Sequence, residues 1–181
     1  RYAESELLYS RVLEVSERTL GVEHSNTLKT MSWLSWLYYE QGRLEEAELL
    51  DARILEVRER TLGEEHADTL KSMKNVADLN YEQGHHKISE SLYARLLDVR
   101  QRTFDVGHPD TLEVMASLAQ VYQVQEKYSE AERMYVQILE SKERTLGLEH
   151  PDTLKAVDIL AWFYLDQHKT DGKLLFSRLL E

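Results

Sequence analysis

The sequence predicts an all-α protein, a solenoid of antiparallel helix pairs. Three observations carry that prediction. The segments RTLGVEHSNTL, RTLGEEHADTL, RTFDVGHPDTL and RTLGLEHPDTL begin at Arg18, Arg60, Arg102 and Arg144, a spacing of 42 residues each time. Between them the apolar residues recur with helical periodicity, and strand-like alternation is hard to find. Only 7 Gly and 2 Pro are spread over 181 residues, which suits helices joined by short turns. Helix pairs repeated at a fixed interval stack, because one pair alone cannot bury its apolar face.

The first helix of each pair is designated A and the second B. Residues 1–21 read as a B helix without its A partner, since AESELLYSRVLEVSERTLG matches EEAELLDARILEVRERTLG in the next unit. Four pairs then follow at 25–63, 67–105, 109–147 and 151–181. The last is irregular. FSRLLE lies 41 residues after YVQILE, and Gly172 falls where the B helix should be well formed. The expectation is a single array over 1–181 with about nine helices.

Helix A carries a ladder. Leu28, Leu70, Leu112 and Leu154 match, as do Met31, Met73, Met115 and Val157. Leu34, Val76, Leu118 and Leu160 come next, each followed by a small residue: Ser35, Ala77, Ala119 and Ala161. Tyr38, Asn80, Tyr122 and Tyr164 complete the stripe, one face of an amphipathic helix. The small residue lets helix B come close. Helix A ends near Gln41, Gln83, Gln125 and Gln167, which are expected to hydrogen-bond in the turn. Helix B has its own stripe, Ala47, Leu50, Ile54 and Val57 in the first repeat and Ala131, Met134, Ile138 and Leu139 in the third. Gly63 and Gly147 are placed for a left-handed cap at the end of helix B.

Composition narrows the function. The formal net charge is -11, from 22 Lys+Arg against 33 Asp+Glu. That balance opposes nucleic acid and anionic membrane surfaces, both of which need clustered cations. Cysteine is absent, which removes disulfides and thiolate metal sites and fits a reducing compartment such as the cytoplasm. No apolar run approaches the roughly 20 residues of a membrane span. The opening RYAESELLYS has no apolar signal core and reads as a chain cut inside a longer protein.

The recurrent His24, His66, His108 and His150 pose the sharpest question: a ligand set or a joint? Stacked helices lie about 8–10 Å apart. Zinc needs its ligands within about 2 Å, so four histidines from four units cannot share one ion. Each His instead precedes a helix start. Pro109 and Pro151 suit the first helical position. Asp68, Asp110 and Asp152 suit the positive helix end. Arg18, Arg60, Arg102 and Arg144 close the B helices and are expected to pair with the acids nearby. His85 and His86 read as solvated turn residues. No phosphate loop or nucleophile elbow occurs. The expectation is no enzyme, no cofactor and no metal.

The pattern resembles the tetratricopeptide repeat, on LSWLYYEQGRLEEAELL in the first unit and LAQVYQVQEKYSEAERMY in the third. The usual repeat is about 34 residues. The longer B helix ending in RTLG-x-E-HPDTL is similar to the kinesin-light-chain type, and closer still to the C-terminal arrays of fungal and bacterial STAND (NB-ARC, NLR-like) proteins. Asn80, Ser89 and Asp51 depart from the pattern, which implies looser packing around the second unit.

The resemblance implies a right-handed superhelical solenoid whose A helices line a concave groove. It implies a protein or peptide ligand in that groove and a sensing or scaffolding role in a larger signalling protein. The alternative is a spacer or self-assembly element, associating through its uncapped terminal helices. The groove positions are Trp36 and Tyr39 in the first repeat, and Lys71, Lys74, Asn75, Asp78 and Tyr81 in the second. Gln120 and Gln123 follow in the third, and Lys155, Asp158 and Trp162 in the fourth. Trp36 and Trp162 hold the same repeat position, off the core stripe, where binding hot spots use large aromatics. The carboxylate clamp of some members does not fit. Asn75 matches its middle element, but Ser32, Trp36, Glu113 and Ser117 flank it.

Overall fold

The computed structural model describes residues 2–104 and 107–167. Among them it has eight helices and no strand. These are α1 (Tyr2–Leu20), α2 (Ser25–Glu40), α3 (Leu44–Leu62), α4 (Ala67–Glu82), α5 (His86–Thr103), α6 (Pro109–Val124), α7 (Tyr128–Leu146) and α8 (Pro151–Asp166). They follow the predicted B, A-B, A-B, A-B, A-B order as far as the A helix of the fourth repeat. The ninth helix expected near Thr170–Leu180 lies outside the described residues. The chain divides into two compact units, residues 1–99 and 100–181. In the first, α1 packs on α2, α2 on α3 and α3 on α4. In the second, α6 packs on α7 and α7 on α8.

The ladder is the core. Met31, Met73 and Met115 are fully buried, and so are Ala77, Ala119 and Ala161. Ser35, the fourth small residue, donates its hydroxyl to Ala47 O on the paired B helix at 3.1 Å. That bond ties the small-residue position of α2 directly to the backbone of α3. Leu154 is the exception at 38% exposed, on the last described helix. Leu50 and Met134 of the B stripe are half-buried, while Leu55, Tyr93 and Tyr135 are buried beside it. Asn80 and Ser89 are fully buried, so the polar departures are enclosed in the core. Asn80 donates to Glu48 Oε1 and to Val76 O, both at 2.9 Å.

The histidines form the joint. His24, His66, His108 and His150 are the N-cap residues of α2, α4, α6 and α8, each with extended backbone. Each Nδ1 accepts the N–H of the residue two further on, at 3.1–3.2 Å. One backbone donor that the helix cannot satisfy itself is thereby paired. Thr27, Thr69, Thr111 and Thr153 are fully buried three residues later. Thr27 donates its hydroxyl to Gly21 O at 2.8 Å, tying the new helix to the end of the old one.

The cation at the joint is not the predicted one. Arg60 reaches Glu23 on the preceding joint, and both side chains are more than half exposed. The residues that reach the following helix lie two positions earlier. Arg58 donates to Asp68 O and Ser72 Oγ, Arg100 to Asp110 Oδ2, and Lys142 to Asp152 O. Two positions turn about 200° around a helix, so Arg60 points away from the face that Arg58 uses.

The left-handed caps also fall elsewhere than expected. Gly63 and Gly147 have φ 86° and 89° with ψ near 165°, an extended mirror-image conformation open essentially to glycine alone. The left-handed caps end the A helices. Gly42 N–H bonds to Tyr39 O and Arg43 N–H to Tyr38 O, and the same pair recurs at Gly84 and His85. The recurrent glutamines sit at the C-cap, and the Gln83 side chain donates to Glu48 Oε2 at 2.9 Å. In the third repeat the glycine position holds Glu126 at φ 60°. A non-glycine residue there costs about 1–2 kcal/mol. Glu126→Gly is therefore expected to raise stability by about 1 kcal/mol, after the entropy that glycine brings to the unfolded chain. Urea denaturation of the pair checks this, and an unchanged or lower midpoint would show that Glu126 is unstrained.

Candidate functional site

Once the ladder and the joint are assigned to architecture, the side chains left outward on the A helices are the candidate surface. In the first unit, Trp36 is 51% exposed on α2. Its ring meets Trp33 edge to face, 6.2 Å between centroids. Trp33 is itself exposed and widens the aromatic patch beyond what the groove positions named. Tyr39 donates its hydroxyl to Glu82 Oε1 at 2.9 Å, linking the ends of α2 and α4. The Glu82 carboxylate pushes the Tyr39 phenol above its ordinary range. On α4, Lys74 pairs with Asp78 at 3.0 Å, and the Tyr93 hydroxyl of α5 donates to the same Asp78. Tyr81 lies half-buried with its ring 5.5 Å from His86. Lys71 and Asn75 are exposed.

In the second unit, Gln120 is exposed on α6 and Gln123 accepts from the Tyr135 hydroxyl at 3.3 Å. On α8, Lys155 is held by Asp152 at 3.2 Å, Asp158 is exposed, and Trp162 is 62% exposed. The predicted residues thus divide. Tyr39, Lys74, Asp78, Tyr81, Gln123 and Lys155 are engaged within the protein. Trp36, Lys71, Asn75, Gln120, Asp158 and Trp162 face outward.

The second unit also holds a feature the sequence reading missed. A cleft of about 450 Å³ opens between α6 and α8 and reaches α7. Leu112 and Ala116, Tyr135 and Ile138, and Ala156 and Ile159 supply its apolar walls. The signal was present in Ile159, an apolar residue off the core stripe. The small residues Ala116 and Ala156, which make the room, carry no signal of their own.

No group of three or more His, Asp or Glu side chains able to hold a metal occurs among the described residues. No described helix is long and apolar enough to cross a membrane.

Comparison with known proteins agrees with the architecture. A tetratricopeptide-repeat family profile matches residues 1–26, 27–68 and 111–152, more than half of the chain, and a second matches 50–102. No curated protein is significantly similar in sequence. Among solved structures, TPR-like repeats from Podosopora anserina described as kinesin light chain superpose with a TM-score of 0.87 at 24% identity, covering 98% of this chain and 85% of theirs. BtubC (BKLC) from P. vanneervenii gives 0.79 at 19% identity, covering 98% and 71%. MamA gives 0.66 at 13% identity, covering 99% and 86%. These likenesses establish the fold. The repeat period, the helix order and the family match together place the chain in the tetratricopeptide-repeat family.

Proposed function

We propose that the chain is a binding module whose outward A-helix faces take a protein or peptide ligand. Tetratricopeptide repeats generally mediate protein–protein interaction. The observation that carries the reading here is the pair Trp36 and Trp162, 51% and 62% exposed at one repeat position. A large indole more than half exposed on a helix is the residue type that dominates binding energy when a partner covers it. By its likeness to STAND-type arrays, the module would serve as the sensing or scaffolding part of a larger signalling protein.

The test is selection of displayed peptides on the immobilised full chain, followed by affinity measurement on variants. Trp36→Ala and Trp162→Ala should each leave the melting temperature in place. At least one should weaken the selected peptides by roughly 2 kcal/mol, about 30-fold. Peptides that bind both variants as tightly as the wild type would remove the reading. A fall in melting temperature at Trp36→Ala would assign that ring to packing on Trp33.

One observation favours the second reading, self-assembly without a groove ligand. Helix α1 buries none of its residues, and Leu7, Leu8 and Val12 are about half or more exposed. Under that reading light scattering grows with protein concentration. It also grows with salt, which screens the -11 charge, and Leu8→Glu abolishes it.

A further inference from the structure

We propose that the cleft of the second unit seats a bulky apolar side chain of a partner peptide, followed directly by arginine or lysine. This deepens the binding reading and rests on it.

The first argument is shape. The cleft holds about 450 Å³, room for a leucine or phenylalanine side chain; its walls are mainly aliphatic and aromatic, with Glu113, Lys142, Thr145 and Asp152 also lining it. The second argument is that the repeat does not impose it. Two repeats earlier, the positions of Tyr135, Ala156 and Ile159 are Asp51, Ser72 and Asn75. There Arg58 lies across the space, bonded to Asp68 O and Ser72 Oγ. In the second unit the counterpart Lys142 reaches only as far as Asp152 O, at 3.3 Å, and alanine replaces the serine. The same repeat positions therefore carry a polar site bridged to the serine in one unit and a mainly apolar one without that bridge in the other.

The third argument is charge. Lys155 is neutralised by Asp152 at 3.2 Å. Asp158 is exposed and makes no ion pair or hydrogen bond among the described residues. It does not line the cleft itself; it precedes Ile159 of the cleft wall on α8, with Trp162 one helical turn on. Residues four apart share a helix face. A carboxylate beside an exposed indole is a seat for a guanidinium or ammonium, through an ion pair and a cation–π contact together. The -11 net charge draws a cationic segment toward the surface and repels an anionic one.

The experiment is an amide-correlation NMR titration of the full chain with three capped Gly/Ser peptides carrying a central Leu-Arg, Leu-Glu or Ala-Arg pair. The Leu-Arg peptide should shift the amides of Ala116, Ala156 and Ile159 and the indole N–H of Trp162. Leu-Glu and Ala-Arg should bind at least about tenfold more weakly. Ala116→Phe, which fills the cleft from its half-exposed side, should abolish the shifts. Asp158→Lys should reverse the preference between Leu-Arg and Leu-Glu, and it carries the test if Ala116→Phe fails to fold. Equal binding of Leu-Glu, shifts confined to other helices, or no shifts at all would overturn the proposal. If selected peptides depend on Trp36 but leave these amides unmoved, this inference falls and the general binding reading stands.

Discussion

Ala119→Leu and Ala161→Leu are expected each to destabilise the second unit by about 1–3 kcal/mol, the usual range for extra methylenes forced into a packed core. Both alanines are fully buried, on α6 and α8, where the equivalent Ser35 of the first unit touches its B helix backbone. A leucine there must push helices apart or leave its rotamer, and neither relaxes locally in a stack. Thermal unfolding followed by circular dichroism reads the effect as a drop of several degrees. Ala116→Leu is the control. It adds the same atoms to the same helix at a half-exposed position facing the open cleft, so it should change stability by less than about 0.5 kcal/mol. If Ala119→Leu melts like the wild type, the A-B contact does not run through this residue.

The second large effect is electrostatic. Asp51 is 8% exposed on α3, at a position held by Tyr93 and Tyr135 in later repeats. Burial pushes its carboxyl up to about 6, and the Ser35 hydroxyl and the Arg58 charge offset this only in part. The folded value lies above the unfolded one. The contribution of Asp51 is therefore most favourable below about pH 4, the ordinary carboxylate range. It is lost as pH rises toward 6, the value in the folded state. Near neutral pH the protein carries a buried, poorly solvated charge. Asp51→Asn keeps the shape and removes the charge. It is expected to raise stability by about 1–3 kcal/mol at neutral pH, with the gain shrinking to near zero in acid. Denaturant midpoints of both proteins across pH check this. A gain that stays constant with pH would mean that Asp51 is solvated in the folded state.

Much of the fold was legible because the sequence states it four times. A single Leu-x-x-Met stripe is weak evidence for a helix. The same stripe at Leu28, Leu70 and Leu112, followed each time by a small residue, specifies both the helix and the face that its partner approaches. What stayed hidden was geometry finer than the period. Arg60 has an arginine counterpart in all four units and Arg58 a cation in only three, with Ser16 in the first, so the period favours the wrong one; the angle around α3 decides which bridges to the next helix. The threonines three residues after the histidines drew no expectation from the sequence, yet they are fully buried. Glycine marks positive φ without saying which region, so Gly63 was assigned a cap that Gly42 makes. The candidate surface was legible only as a list of outward positions. The cleft depends on what is missing at Ala116 and Ala156, and an absent side chain leaves no pattern to read.

The central claim is that what repeats every 42 residues is architecture, and the histidines test it most directly. In each, Nδ1 accepts a backbone N–H at 3.1–3.2 Å, so in the neutral ring the proton must sit on Nε2. Long-range proton–nitrogen NMR under mildly alkaline conditions reports the tautomer of each ring. Four resonances of the Nε2-protonated form for His24, His66, His108 and His150, unmoved by stoichiometric zinc, are the predicted result. An Nδ1-protonated ring at these positions, or a zinc-dependent shift shared among them, would contradict it.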